Sequence, residues 1–441
     1  MLTLTNHLLA RLLSIKRVNA TMQKHTRKEV LARYFKLRID RRILAVILIF
    51  LVVYLTWLFA FPQFGPVTND FFNRFEALGI DKGKWVMLFL ASLAFASLAS
   101  GVIVDKTMKR TRLILVATPI VSILTLSLFW LKLDSVFLTP IPLGLAAGVI
   151  PVALGAYFAD NTQPEDRGRI MGIAIGITML VAQIFLITGP LNFGLEKNIE
   201  ILIIGTWLLL TFITLGFRPK EKTAEPAPIR PKKGPPAKQV ALYAIPIFLF
   251  NLVAGILFSI VFPTIRDQIS GSLFYLIWAI PFMIGAIFAG IQFDFRGRKF
   301  PTIIGLAITG VSVAILGILG VSVAYLILIP LAIGFSYVTI SSLIIWADLA
   351  PARSRGAFYG LGFGIIAASQ MLGLILCGAS FGSASTSQIN AYMLFSSIAL
   401  FLCIPPLLFA EEALPKELIE KRQLADYLEE FKNKAAKKKP T

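Results

Sequence analysis

The chain has 441 residues, 56% of them hydrophobic and only 15% charged, with a mean hydropathy of +0.77. So much apolar surface has no complement in water, which excludes a soluble domain and leaves the lipid bilayer as solvent. A formal net charge of +19 would suggest nucleic acid if it formed a folded basic face, but the basic residues lie in tails and loops between apolar runs, so no nucleic-acid partner is expected.

Residues 1–42 form a basic tail in which leucines alternate with Lys and Arg, a pattern that suits a surface helix lying on anionic headgroups. No small-residue cleavage site accompanies the first apolar span, which is therefore expected to be retained rather than removed as a signal peptide. Six spans follow, at 43–62, 82–104, 113–131, 136–159, 170–190 and 199–217. At a rise of about 1.5 Å per residue, each approaches or exceeds the hydrocarbon thickness of about 30 Å. The stretch 218–240, with Pro219, Pro226, Pro228, Pro231, Pro235 and Pro236, is too rich in proline and charge to pack, and is expected to be a linker. Six more spans cover 241–263, 272–293, 300–318, 322–347, 357–379 and 391–410. Residues 411–441 form a second basic tail, and Pro415 starts a pattern over 415–434 that predicts an amphipathic helix.

This pattern predicts an all-α polytopic membrane protein with twelve transmembrane helices. They fall into an N-terminal bundle (43–217) and a C-terminal bundle (241–410). Of the 43 Lys and Arg, only Arg74, Lys82, Lys84, Lys132, Lys197 and Arg266 fall on the face of the odd-numbered gaps, Lys82 and Lys84 at the very start of the second span. The excess of positive charge on the other side places both tails in the cytoplasm. The membrane expected is that of the cell surface, and the chain is expected to act as a monomer. Cys377 and Cys403 both sit inside spans and give neither a disulfide framework nor metal-ligand spacing.

The two sets of six spans are related. A shift of 188 residues carries Pro142 onto Pro330, Asp160 onto Asp348, Arg167-Gly168 onto Arg355-Gly356, Gly172 onto Gly360 and Gly176 onto Gly364. A shift of 189 carries Gly101 onto Gly290 and Asp105 onto Asp294. A run of charged and glycine positions at nearly one offset marks a duplication. Six crossings return the chain to its starting face, so the copies are parallel, and a site between them is expected.

Gly101 and Asp105 followed by Lys106, Lys109 and Arg110, together with Gly290 and Asp294 followed by Arg296, Gly297, Arg298 and Lys299, resemble the loop signature of the major facilitator superfamily. Met108 and Phe295 depart from that signature. Asp160, Pro164 and Arg167-Gly168, matched by Asp348, Pro351 and Arg355-Gly356, resemble the acidic, proline and Arg-Gly element of its sugar porters. The resemblance covers roughly 43–410. It implies a cytoplasmic gate of Asp105, Arg110, Asp160, Arg167, Asp294, Arg298, Asp348 and Arg355 that joins the halves. On the residues alone, these charges could equally well only end helices and enforce topology. The glycine and proline pattern of Gly176, Gly189-Pro190 and Gly194 partly resembles that of the superfamily's antiporters.

No Asp, Glu, Lys, Arg or His lies well inside any span, and both histidines, His7 and His25, are in the first tail. A charge at the bilayer centre costs about 2.5–3.5 kcal/mol and is kept mainly for proton, ion or substrate work. The absence argues against an enzyme, a cofactor or coupling through a midplane carboxylate, and points to facilitation or export of a neutral or lipophilic small molecule. A membrane sensor or scaffold that kept the fold and lost transport remains the alternative. Tyr54, Trp57, Gln183, Asn251, Trp278, Tyr337 and Gln370 are the candidate substrate-binding residues, because an amide in lipid must find a partner and aromatic rings can grip an apolar solute. Helix-to-helix hydrogen bonding is an equally good account of the two glutamines.

Overall fold

A computed structural model describes residues 41–61, 81–107, 109–128, 139–188, 234–268, 271–378 and 385–414. The predicted sixth span, most of the linker and nearly all of both tails lie outside the described residues. Among the described residues, eleven helical segments are long and apolar enough to cross a bilayer, and there are no strands. Lipid offers no hydrogen bonds, so an apolar run must satisfy its main chain internally, as a helix does.

In chain order the helices are α1 (Arg41–Ala60), α2 (Lys82–Thr107), α3 (Arg110–Ser127), α4 (Pro140–Asn161) and α5 (Arg167–Thr188). The predicted seventh span is built from α6 (Ala237–Ile256), a π-helical turn (Leu257–Val261) and α7 (Phe262–Gln268). Then come α8 (Gly271–Arg296), α9 (Lys299–Leu319), α10 (Ala324–Leu349), α11 (Arg355–Leu376), α12 (Thr386–Leu402) and the short α13 (Ile404–Phe409). Several helices overrun the predicted spans at one end, where Asp105, Asp160, Asp294 and Asp348 occupy last turns and Arg167 and Arg355 first turns. Large apolar side chains face outward, Ile318 at 71% and Phe95 at 68% exposed, as suits a lipid-facing surface.

The principal contacts are α2 with α4 and α11, α5 with α8, α10 with α8 and α9, α6 with α11, and α9 with α12. Small residues permit them. With no hydrophobic drive between helices in lipid, close backbone approach supplies the attraction. A Cβ at Gly101 of α2 would stand 2.8 Å from the Gly356 carbonyl oxygen of α11, and one at Gly168 of α5 would stand 2.5 Å from that of Gly290 on α8. These two glycine contacts exchange under the sequence offset, so the repeat is also a repeat of packing.

Candidate functional site

The charged motifs gather at one end of the bundle and are wired across it. Asp105 Oδ1 and Oδ2 accept the Gly356 and Ala357 amides at 2.7 and 2.8 Å, capping the N-terminus of α11. Asp294 does the same for α5, accepting the Gly168 and Arg169 amides at 2.8 and 2.9 Å. A carboxylate there satisfies main-chain donors that no helix bond can reach and meets the positive end of the helix dipole. Each aspartate thus caps a helix of the opposite half.

The second pair of aspartates binds two arginines each, one from either half. Asp160 holds Arg110 at 2.6 Å and Arg355. Asp348 holds Arg298 at 2.6 Å and Arg167 at 2.5 Å. The pattern is symmetric, but the burial is not. The Asp160 side chain is 34% exposed, whereas those of Asp348 and Arg298 are fully enclosed and that of Arg167 is 2% exposed. Arg298 also binds Asp294 at 3.1 Å and donates to the carbonyls of Phe293 and Pro164, so its charge is fully met.

Glu412, three residues past the last helical stretch, completes this end. Its carboxylate accepts the main-chain N–H groups of Arg298 at 2.6 Å and Lys299 at 3.2 Å, capping α9. Next to it Glu411 binds only through its main chain in the described contacts, its carbonyl accepting from Gln239 and from the Tyr243 hydroxyl. Glu412→Ala should therefore lower the thermal midpoint by the loss of a cap, about 0.5–2 kcal/mol, with Glu411→Ala close to neutral. Equal losses in both variants would refute that assignment of the cap.

Away from this end the paired helices diverge. Along α11 the nearest main-chain oxygen of α2 lies 2.6 Å from a Cβ built at Gly356, 2.7 Å at Gly360 and 3.6 Å at Gly364. Along α5 the spacing to α8 opens from 2.5 Å at Gly168 to 3.2 Å at Gly176. Beyond them lies a cavity of about 90 Å³ lined from α1, α5, α6, α10 and α11 and from the π-helical turn. That is well below the roughly 300–1,000 Å³ of a pocket that encloses a drug-sized ligand, so the site is constricted in this state.

Helical spacing decides what reaches the cavity. Tyr54, Trp57 and Phe61 lie on one stripe of α1 and its end, and Phe335, Thr339 and Ser342 on one stripe of α10. Asn251 lines it from α6 and Gln370 from α11. Tyr337, two residues from Phe335, points the other way and packs on Gly305 of α9. Trp278 stands behind Phe335, with ring centroids 5.5 Å apart, and is not itself in the lining. Gln183 is buried, 2% exposed, outside the lining. Of the seven candidates, Tyr54, Trp57, Asn251 and Gln370 meet at one cavity.

Sequence reasoning passed over Phe250, Phe258, Phe335 and Phe363, which form the apolar wall of the cavity. Among 35 phenylalanines in a lipid-embedded chain, helical phase marks Phe258 with Asn251 and Phe363 with Gln370, seven residues apart, and nothing marks Phe250 or Phe335. Phe258 lies within the π-helical turn, an irregularity that proteins often place at functional sites. The Trp57 Nε1–H is buried without a hydrogen-bond partner among the described residues, a state that costs about 1–3 kcal/mol unless something met on opening the cavity accepts it.

Duplicated helical halves, joined by charges at one end and enclosing an apolar cavity farther in, define a membrane transport protein. The sequence pattern described as Major Facilitator Superfamily matches residues 46–373, and the chain belongs to that family. The fold is similar to that of the human organic anion transporter MFSD10 (TETRAN), with a TM-score of 0.61 and 16% identity over 83% of this chain and 99% of that one. No curated protein matches the sequence.

Proposed function

We propose that the chain is a secondary transporter that moves a small, uncharged or lipophilic organic solute by alternating access, the bundles 43–217 and 241–410 rocking about the cavity. The excess of positive charge in the even-numbered gaps makes the charged end cytoplasmic, and the eight gate residues are its cytoplasmic gate, closed in this state. The solute binds at Tyr54, Trp57, Asn251 and Gln370. Gln183, Trp278 and Tyr337 support the site from the surrounding packing.

The observation that carries this reading is the pairing of an uncharged cavity between the halves with ionic contacts that only the two halves together can make. Organic anions, the solutes named for MFSD10, fit this chain poorly, because among the described residues no basic side chain lines the cavity. Purified protein in liposomes is expected to move an uncharged solute down its gradient, and Asp105→Asn is expected to raise cysteine labelling from the charged end. Binding without flux would favour the sensor alternative, and unchanged labelling would sink the gate.

A further inference from the structure

The polar groups around the cavity are nearly all spoken for, and what is left over describes a ligand. The Thr339 and Ser342 hydroxyls donate to the Phe335 and Val338 carbonyls of their own helix, at 2.9 and 2.8 Å. Asn251 donates through Nδ2 to the Ile247 carbonyl at 2.8 Å. That bond identifies the nitrogen, so Oδ1 is the atom that turns to Gln370, which reaches it through Nε2 at 3.4 Å. The Gln370 Oε1 of α11 is then an acceptor with no described partner, and on α1 the buried Trp57 Nε1–H and the Tyr54 hydroxyl, which can donate or accept, have none either.

Aromatic side chains line the same cavity. Trp57 packs on Phe61 and, across the halves, on Phe363, with centroids 4.6 and 6.1 Å apart, and Phe335 packs on Phe250 at 4.7 Å. Ring faces and edges of this kind hold a flat ring by offset or edge-on stacking. Among the described residues no ionisable side chain other than Tyr54 is in the lining, so nothing there repays the desolvation of an anion, and a cation would have ring faces alone to meet it.

Resting on the transporter reading above, we infer that the solute class is a neutral ring bearing a carboxamide-like edge, with its carbonyl accepting from Trp57 and its N–H donating to Gln370. One molecule then bridges α1 of the first half and α11 of the second. A carboxylate in the same place would meet the Gln370 oxygen with another acceptor, and a quaternary ammonium would leave the Trp57 donor unmet.

Three probes that share one ring separate the classes: benzamide, benzoate and benzyltrimethylammonium, titrated against the full-length protein in detergent with thermal shift as readout. Benzamide should bind at least tenfold more tightly than either charged probe. Trp57→Phe keeps a ring and removes the donor, and Gln370→Met keeps the length and removes the acceptor. Each should weaken benzamide about tenfold and leave toluene, which has no polar edge, unchanged. The inference is overturned if a charged probe matches benzamide, if no probe binds, or if both variants bind benzamide like the parent. Liposome flux tells this failure from that of the transporter reading: benzoate flux without benzamide flux sinks only the solute class, and benzamide binding without any flux sinks only transport.

Discussion

Asp348→Ala is expected to be among the most damaging single changes in the chain. It would strip a carboxylate from between Arg167 and Arg298, whose side chains are 2% and 0% exposed. A buried charge that loses its partner costs about 3–5 kcal/mol, because water cannot replace what was removed. Arg298 keeps Asp294, so the heavier loss falls on Arg167, and adding Arg167→Met should recover part of the stability. Asp160→Ala removes the equivalent carboxylate from the other copy. Asp160 is itself 34% and Arg355 19% exposed, so solvent substitutes for part of it, but Arg110 is only 3% exposed, and the loss should exceed the roughly 1 kcal/mol of a surface pair while staying below that of Asp348→Ala. Thermal unfolding of the three variants in detergent measures this, and equal losses for Asp160→Ala and Asp348→Ala would show that burial does not govern the pair.

The second large effect is steric. A side chain at Gly290 would press on the Gly168 carbonyl, a main-chain atom that cannot rotate away. Overpacking of this kind costs about 1–3 kcal/mol, and all of it falls on the state in which α5 and α8 touch. Gly290→Val should therefore shift the balance about 5- to 150-fold toward opening at the charged end, read as faster cysteine labelling from that side. Gly176→Ala lies on the same interface where the nearest main-chain oxygen is 3.2 Å away, and should shift the balance much less. Labelling that is slower in Gly290→Val than in the parent would contradict the closed contact.

Much of the fold was legible in the sequence because its strongest signals are coarse. An apolar run long enough to cross lipid needs no detail to be recognised, and eleven of the twelve predicted spans correspond to described helices. The duplicated glycines and aspartates were legible because their offset is independent of any hydropathy scale. What the linear pattern does not carry is which partner each charge takes. The spacing of Asp105 and Gly356 says nothing of a hydrogen bond across 251 positions. Cavity residues were half legible for a different reason. Polarity singled out Asn251 and Gln370, but a helix uniformly apolar around its circumference gives no phase. Tyr337 therefore looked as good as Phe335 until the packing of α10 on α9 assigned its face. Glu412 was overlooked because it follows the last predicted span, where an acidic residue reads as the start of a solvated tail.

The crossed capping has a consequence for how the molecule assembles. Neither half can satisfy its own Asp105 or Asp294, since the donors each needs stand at the start of a helix encoded in the other half. A solitary half would carry a bare carboxylate and an uncapped helix start into the membrane, and both are mended only by its complement. The duplicated segments are thus obligate mates, and the chain's continuity serves to deliver them together.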